Sequence, residues 1–190
     1  MRIVAGSAKG RRLAPVPPGV RPLADRAREG LFASLGDRVP DARVLDLCAG
    51  TGAVGIEALS RGAAHCTFVE AASRVSDTIR DNLQRTRCDD RAEVVTSDAL
   101  AFVRRHREDS AWDLVLLDPP YEAGGDELDD LLAALAVPDR LAPDFTMVLT
   151  RSAKGSRGSA PVVPLQWAAA RELRYGDSIL TLYRRADQAA

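Results

Sequence analysis

The stretch with the clearest potential for chemistry is Asp118-Pro119-Pro120-Tyr121, which follows a run at residues 113–117 that is apolar after its first member, Asp113. An apolar run of this length predicts a strand buried on both faces. Two consecutive prolines can neither donate to a β-ladder nor continue into a helix, so the strand must end there. The ending places a carboxylate and an aromatic ring at the carboxyl end of a buried strand, where open α/β sheets bind ligands. We therefore predict a catalytic loop.

The chemistry that this loop suits is transfer to an exocyclic amine of a nucleobase. Such an amine is a poor nucleophile, because its lone pair is conjugated with the ring. The Asp118 carboxylate and the Pro119 carbonyl could accept its two N–H hydrogens and orient the lone pair. Tyr121 could stack on an extruded base. We predict Asp118, Pro119 and Tyr121 as the catalytic residues.

A glycine-rich loop at residues 46–55 follows the first predicted strand and opens a helix, so its backbone amides can approach a ligand closely. Glu70 lies 18 residues beyond Gly52, where a carboxylate can bind both hydroxyls of a ribose. Asp98 ends the third predicted strand, where it could meet an adenine edge. The predicted cofactor-binding residues are Asp46, Ala49, Gly50, Gly52, Glu70, Asp98 and Ala99.

The identity of the cofactor depends on Asp46. Gly50, Gly52 and Gly55 fit the dinucleotide pattern, so the glycines alone do not separate NAD from another adenosine ligand. A carboxylate at Asp46 would repel a pyrophosphate, but it can bind an amino group. S-adenosylmethionine carries an ammonium, a sulfonium, a ribose and an adenine, and it has no phosphate. The acidic set therefore favours S-adenosylmethionine over NAD.

The charge of the chain is distributed unevenly. Residues 1–40 carry eight basic and three acidic residues, a net charge of +5, although the whole chain has a formal charge of −1. A basic head on a mildly acidic body indicates a polyanionic partner such as nucleic acid. The residues predicted to grip phosphates are Arg2, Lys9, Arg11, Arg12, Arg21, Arg26 and Arg28.

The hydrophobic pattern predicts the elements that position these residues. Short segments at 2–5 and 11–13 predict an N-terminal β-hairpin arm within residues 1–20. A helix at about 22–35 follows, and alternating strands and helices begin at residue 43. Two strands joined at Gly176-Asp177 predict a terminal antiparallel hairpin. We predict a doubly wound, Rossmann-like α/β domain at 21–186, with a frayed tail at 187–190.

Composition excludes several other classes. No apolar stretch approaches the roughly 20 residues of a membrane span, and no signal-like run is present at the N-terminus. Three widely spaced cysteines provide neither metal-ligand spacing nor a disulfide framework. We expect a cytoplasmic protein with reduced thiols, no metal and no membrane partner.

The motifs DLCAGTG, VE at Glu70, SDA at Asp98 and DPPY resemble class I S-adenosylmethionine-dependent amino-methyltransferases. MRIVAGSAKGRRL, RPLADRARE and LFASL resemble one bacterial branch of them, which methylates N2 of a guanine in 16S ribosomal RNA. The resemblance covers nearly the whole chain. It implies a monomeric enzyme that acts on the small ribosomal subunit, assembled or assembling. In this chain, Leu23 replaces a threonine of the family, and Cys48 stands where many methyltransferases have glycine.

Three alternatives stay open at this stage. A DNA adenine-N6 methyltransferase shares the DPPY loop, although no separate target-recognition domain is visible here. An NAD-dependent oxidoreductase could use the glycine pattern, although it lacks an obvious catalytic histidine or tyrosine–lysine pair. A non-catalytic RNA-binding module could have kept the cofactor fold, and a turnover assay separates it from an enzyme.

Overall fold

The structure is a computed structural model that describes residues 1–106, 111–119, 125–153 and 160–188. The helices are α1 (Asp25–Leu35), α2 (Ala53–Ser60), α3 (Ser73–Thr86), α4 (Ala99–Arg105) and α5 (Gly125–Leu135). The strands are β1 (Arg43–Leu47), β2 (His65–Glu70), β3 (Ala92–Thr96), β4 (Trp112–Leu117), β5 (Leu141–Ser152), β6 (Trp167–Tyr175) and β7 (Ser178–Arg185).

All of these strands belong to one sheet with the order β3-β2-β1-β4-β5-β7-β6. Strands β1 to β5 run parallel, and β7 runs antiparallel to both β5 and β6. The predicted α/β sheet with a C-terminal antiparallel hairpin is therefore confirmed. The chain reverses its direction of winding between β1 and β4, which creates a crevice at the carboxyl ends of these strands.

The central strands are apolar on both faces because each face packs against helices. Val44 and Leu114 belong to a core formed with α1, α2 and α3. Leu45 and Val115 belong to a second core, which residues of α4 and α5 share. Both cores fix β1 and β4 rigidly, so the residues that follow these strands start from well-defined positions.

Some predicted boundaries differ from the observed ones. Helix α1 begins at Asp25 rather than at Pro22, because the backbone of Ala24 is extended, with φ −60° and ψ 149°. The serine at position 73 predicts a helix cap there, but the cap residue of α3 is Ala72, whose N–H donates to the Glu70 carboxylate at 2.9 Å. The apolar run at 146–150 predicts a fifth strand of five residues, whereas β5 extends over 12.

The prediction of an N-terminal hairpin is wrong. Residues 1–14, called the N-terminal segment below, form a single antiparallel bridge between Arg2 and Arg12 instead of two strands. Between them, only Ile3 and Gly10 continue the cross-segment hydrogen bonds, with Ile3 donating to the carbonyl of Arg11 and Gly10 to that of Ile3, whereas the residues between Ile3 and Gly10 donate mainly to α2. Val4 and Ala5 donate to the Glu57 carboxylate at 2.8 and 2.9 Å. The segment is thus a loop docked on a helix.

The ends of the described ranges hold no further long element. Residues 186–188 form a short 3₁₀ turn, Ala186–Gln188, which overlaps the predicted tail at 187–190. The glycine, serine and proline content of residues 152–164 predicts a basic loop, of which residues 154–159 lie outside the described residues. None of the described helices combines the length and the apolar character that crossing a membrane would require.

Candidate active site

A cavity of about 680 Å³ opens at the carboxyl ends of β1, β2 and β4 and at the start of α4, where the winding of the sheet reverses. Most of the predicted site residues meet there. Those that line it are Asp46, Ala49, Gly50, Glu70, Asp98, Ala99, Asp118 and Pro119. Gly52 is the exception, because it faces the core. The Pro120 and Tyr121 positions lie outside the described residues, so the stacking role of Tyr121 stays a prediction.

The glycine loop is shaped by three left-handed residues. Cys48, Gly50 and Gly52 have φ values of +57°, +55° and +72°. A Cβ on Gly52 would lie 2.9 Å from the side chain of Ile79, so only glycine fits between the loop and α3. Cys48 carries a side chain in this conformation at a cost of roughly 1 kcal/mol, which explains why glycine is common at its position.

Asp46 lies at the base of the loop and is almost fully buried, with 4% of its surface exposed. Its Oδ2 accepts the N–H of Gly55 at 3.0 Å, which fixes the start of α2. Burial raises the pKa of Asp46 well above its usual value, the Gly55 N–H opposes this effect, and the Asp118 and Glu70 carboxylates raise the pKa further. A cation in the cavity would therefore stabilise the ionised form strongly.

Glu70 closes the loop from the next strand. Its Oε2 accepts the N–H of Gly50 at 3.0 Å, and its Oε1 accepts the N–H of Ala72 at 2.9 Å. Each carboxylate oxygen can accept a second hydrogen bond, so both remain suited to ribose hydroxyls. Asp98 caps α4, where its Oδ1 accepts the N–H of Ala101 at 2.8 Å.

Asp118 and Pro119 line the cavity where β4 ends. The Asp118 N–H extends the β1–β4 ladder by donating to the carbonyl of Leu47 at 3.4 Å. Neither the Asp118 carboxylate nor the Pro119 carbonyl accepts a hydrogen bond from the described part of the chain. Burial raises the pKa of Asp118 to about 6. Both acceptors are therefore open to N–H donors of a ligand.

Sequence reasoning missed part of the cavity wall. Val20 packs on the loop, since its Cγ1 lies 3.2 Å from the position of a Cβ on Gly50. Glu127, Leu128 and Leu131 of α5 also line the cavity. The leucines belong to the apolar stripe of α5, whereas no local pattern indicates that Glu127 faces a ligand.

The predicted RNA-binding residues fall into different environments. Arg2, Lys9, Arg12 and Arg26 are exposed, and in the described part of the chain their side chains make neither an ion pair nor a hydrogen bond. Many other exposed arginines are paired, as Arg80 is with Asp77 at 2.8 Å. The four exposed residues are therefore available to an anionic partner.

The remaining three predicted RNA-binding residues already make contacts within the protein. Arg11 donates to the carbonyl of Arg85 at 3.2 Å, which ties the N-terminal segment to the end of α3. Arg21 lines the cavity, and its Nη2 lies 3.5 Å from Asp177.

Arg28 does not have the predicted environment at all. It is fully buried, its Nε lies 3.5 Å from Oε2 of the equally buried Glu57, and its Nη2 donates to Asp25 at 3.0 Å. A guanidinium enclosed in this way cannot reach a phosphate, so the structure assigns Arg28 to holding α1, α2 and the N-terminal segment together. The sequence feature that indicated this Arg28–Glu57 ion pair was Glu57 itself, a lone carboxylate among apolar residues of α2.

The fold and the cavity define the class. An O-methyltransferase of Bacillus cereus, solved in complex with SAH, has the same fold, with a TM-score of 0.69 over 90% of this chain and 84% of that one at 14% identity. The sheet order with its antiparallel C-terminal hairpin is that of the class I methyltransferase fold.

The family follows from closer relatives. A family model described as Conserved hypothetical protein 95 matches residues 1–184. Ribosomal RNA small subunit methyltransferase D of Escherichia coli is 36% identical over 99% of this chain and 91% of its own length. A solved methyltransferase of the same bacterium has a TM-score of 0.82 over 97% of both chains. This chain belongs to the ribosomal RNA small subunit methyltransferase D family.

Proposed function

We propose that this protein transfers a methyl group from S-adenosylmethionine to the exocyclic N2 amine of a guanine in 16S ribosomal RNA. The substrate would be the small subunit or one of its assembly intermediates. The observation that carries the proposal is the pair of open acceptors at the end of β4, the Asp118 carboxylate and the Pro119 carbonyl. The name of the Escherichia coli relative, which specifies small-subunit ribosomal RNA, supports the choice of substrate.

The charge of the cavity fits S-adenosylmethionine. Among the described lining residues, five are acidic and only Arg21 is basic. This environment suits a ligand with an ammonium and a sulfonium, and it opposes the pyrophosphate of NAD. Asp46 would hold the amino group, Glu70 the ribose and Asp98 the adenine edge. The cofactor, when bound, supplies the methyl group.

Asp118 and Pro119 would act on the amine of the base. With both N–H hydrogens held by these acceptors, the nitrogen lone pair is directed out of the plane of the ring, where it can attack. The methylated amine must then lose a proton. Asp118, with a pKa of about 6, is close enough to neutrality to accept that proton and to release it to solvent. Tyr121 would stack on the base, as predicted from the sequence.

Glu127 supports guanine over adenine as the target base. It lines the cavity and, in the described part of the chain, has no hydrogen-bonding or ionic partner. Guanine carries a hydrogen-bond donor at N1, whereas adenine carries an acceptor there, and an ionised carboxylate can only accept.

The substitution Glu127→Gln should lower kcat/KM on guanine about tenfold or more, because a charged hydrogen bond is replaced by a weaker neutral one. Kinetics on small subunits measure this, and Glu127→Asp controls for the charge alone.

The exposed residues Arg2, Lys9, Arg12 and Arg26 would bind phosphates along the RNA. Arg28 is withdrawn from this set because it is buried against Glu57. Arg2, Lys9 and Arg12 lie on the N-terminal segment, which is docked on α2, and Arg26 lies on α1, so none of them is carried on a free arm.

The deciding experiment combines purified protein, methyl-labelled S-adenosylmethionine and three substrates. The substrates are under-methylated small subunits, naked 16S RNA and duplex DNA, each digested afterwards to identify the labelled nucleoside. We expect N2-methylguanosine from small subunits and loss of the label with the Asp118→Asn variant.

Other outcomes would change the assignment. Label in N6-methyladenosine from DNA would make the protein a DNA adenine methyltransferase. A failure to label any substrate, although S-adenosylmethionine binds, would contradict the proposed transfer.

A further inference from the structure

A single buried side chain joins the N-terminal segment to the glycine loop. Asn82 of α3 has no exposed surface. Its Oδ1 accepts the N–H of Ala14 at 2.7 Å, and its Nδ2 donates to the carbonyl of Thr51 at 2.9 Å. The two partners lie 68 and 31 residues away along the chain, so the contact connects two distant parts of the sequence.

One partner of Asn82 lines the cavity, and the other begins the connection that leads to it. Thr51 stands between Gly50 and Gly52 and lines the cavity. Beyond Ala14, a proline-rich connection leads within a few residues to Val20, which also lines the cavity and packs on Gly50. The Asn82 amide therefore holds the glycine loop together with the start of the connection that leads to Val20.

The two hydrogen bonds fix the orientation of the amide jointly. The oxygen needs a donor and the nitrogen needs an acceptor, and a buried amide that loses one partner retains an unsatisfied polar atom. When Ala14 is docked, Nδ2 must point at Thr51. When Ala14 leaves, Oδ1 loses its donor and the orientation depends on the Thr51 bond alone, so the loop is restrained less firmly.

We propose that Asn82 is a positioning residue through which RNA bound to the N-terminal segment strengthens cofactor binding, and the reverse. The inference rests on the proposed function, since it assumes that RNA binds residues such as Arg12, two positions before Ala14. RNA that favours the docked segment keeps the amide oriented, so the cofactor meets a loop that is already ordered. Such coupling is reciprocal and amounts to about tenfold in affinity in typical systems.

The rest of the segment has its own anchors. Glu57 holds Val4 and Ala5, and the Oγ of Ser60 accepts the N–H of Ala8 at 2.9 Å. A change at Asn82 should therefore leave most of the segment in place, which makes the coupling testable without detaching the segment.

The variant Asn82→Asp separates the two bonds. It keeps an acceptor for Ala14, but it places a carboxylate oxygen against the Thr51 carbonyl. Thr86→Val is the matched control, because Thr86 is buried four residues further along α3 and its hydroxyl donates to the carbonyl of Asn82 at 2.7 Å. Thr86 makes no hydrogen bond to the loop or to the segment. A second variant, Ala14→Pro, removes the other bond without changing Asn82.

The measurement is equilibrium binding of labelled S-adenosylhomocysteine with and without saturating under-methylated small subunits. We expect subunits to raise the affinity of the wild type and of Thr86→Val about tenfold, and to leave that of Asn82→Asp and Ala14→Pro unchanged. Without subunits, both Asn82→Asp and Ala14→Pro should bind the probe more weakly than the wild type, since each removes one of the two bonds that fix the amide.

Two results would overturn the inference: equal affinity with and without subunits in the wild type, or an undiminished ratio in both Asn82→Asp and Ala14→Pro. If Asn82→Asp does not fold, the ratio measured with Ala14→Pro decides. Methylation by the wild type separates the two proposals. N2-methylguanosine without coupling leaves the proposed function intact and refutes only the role of Asn82, whereas absence of methylation refutes the proposed function itself.

Discussion

The cavity uses its carboxylates differently at the glycine loop and at the end of β4. At the glycine-loop end, Asp46 and Glu70 accept backbone N–H groups of the loop and of the chain just after β2. At the β4 end, Asp118 and Pro119 accept no hydrogen bond from the described residues. The first arrangement holds the shape of a binding site. The second leaves lone pairs open for a reacting group.

This difference separates binding from reaction in the same cavity. A carboxylate held by N–H groups keeps one position whether or not a ligand is present, which lowers the ordering required on binding. A buried carboxylate without such donors destabilises its own charge, as the raised pKa of Asp118 shows. That instability is relieved when N–H donors of a substrate arrive. The predictions below test this division, from the largest expected effect to the smallest.

The largest effect should come from Asp118→Ala, which removes an acceptor at the reactive end. We expect turnover to fall about 10²–10⁴-fold, because the amine is no longer oriented and its proton has no acceptor. Cofactor affinity should stay within about threefold, since the glycine-loop end is unchanged. Single-turnover methylation and calorimetric titration measure the two quantities. A fully active variant would remove Asp118 from the mechanism.

The same residue should limit stability. Burial raises the folded-state pKa of Asp118 to about 6, above its unfolded value, so its ionised form disfavours the fold. The penalty is absent below about pH 4, where both states are protonated, grows between pH 4 and 6, and stays at about 3 kcal/mol above that. Asp118→Asn should therefore raise the free energy of unfolding at pH 7.5 and have little effect at pH 4. Urea titrations at both pH values measure the free energy of unfolding. An equal increase at both pH values would show that ionisation of Asp118 is not the cause.

At the glycine loop, Glu70→Ala should weaken cofactor binding rather than turnover. The substitution leaves the N–H groups of Gly50 and Ala72 without their acceptor and removes the proposed ribose contact. We expect cofactor affinity to fall about 10- to 100-fold, by the loss of two charged hydrogen bonds. Turnover at saturating cofactor should change much less. If turnover falls as far as in Asp118→Ala, the two ends are not functionally separate.

The smallest effect should come from the exposed cations of the N-terminal segment, which lie outside the cavity. In the double variant Lys9→Ala/Arg12→Ala, small subunits should bind more weakly, and the slope of log affinity against log salt should decrease by roughly one for each lost phosphate contact. Arg80→Ala is the control, because Arg80 is exposed but paired with Asp77. Filter binding at several salt concentrations provides the slopes. An equal decrease in the control would mean that the N-terminal cations have no special role.

The elements with purely local signals were predictable. The bounds of β2, His65–Glu70, match the run HCTFVE, because β-branched and aromatic residues end at a carboxylate. The gathering of Asp46, Glu70, Asp98 and Asp118 at one edge follows from parallel strands, whose carboxyl ends must lie together. A pattern that repeats along the chain is enough for such features.

The features that depend on distant partners were not predictable. Arg28 looks like other surface arginines until Glu57, 29 positions away, is seen to enclose it. The hairpin failed for the same reason, since Glu57 is a better acceptor for Val4 and Ala5 than a facing strand would be. Asn82 shows no signal in the sequence, because its role depends on Ala14 and Thr51 together.

The docking of the N-terminal segment also constrains when the protein can complete its fold. Ala8 and Ala14 find their acceptors on Ser60 and Asn82, which are synthesised 52 and 68 residues later. At a synthesis rate of roughly 5–20 residues per second, the segment waits several seconds with its apolar side chains, Ile3 and Leu13 among them, uncovered. The residues translated earliest are thus among those that settle late. A growing chain is exposed to aggregation through this segment until α3 has emerged.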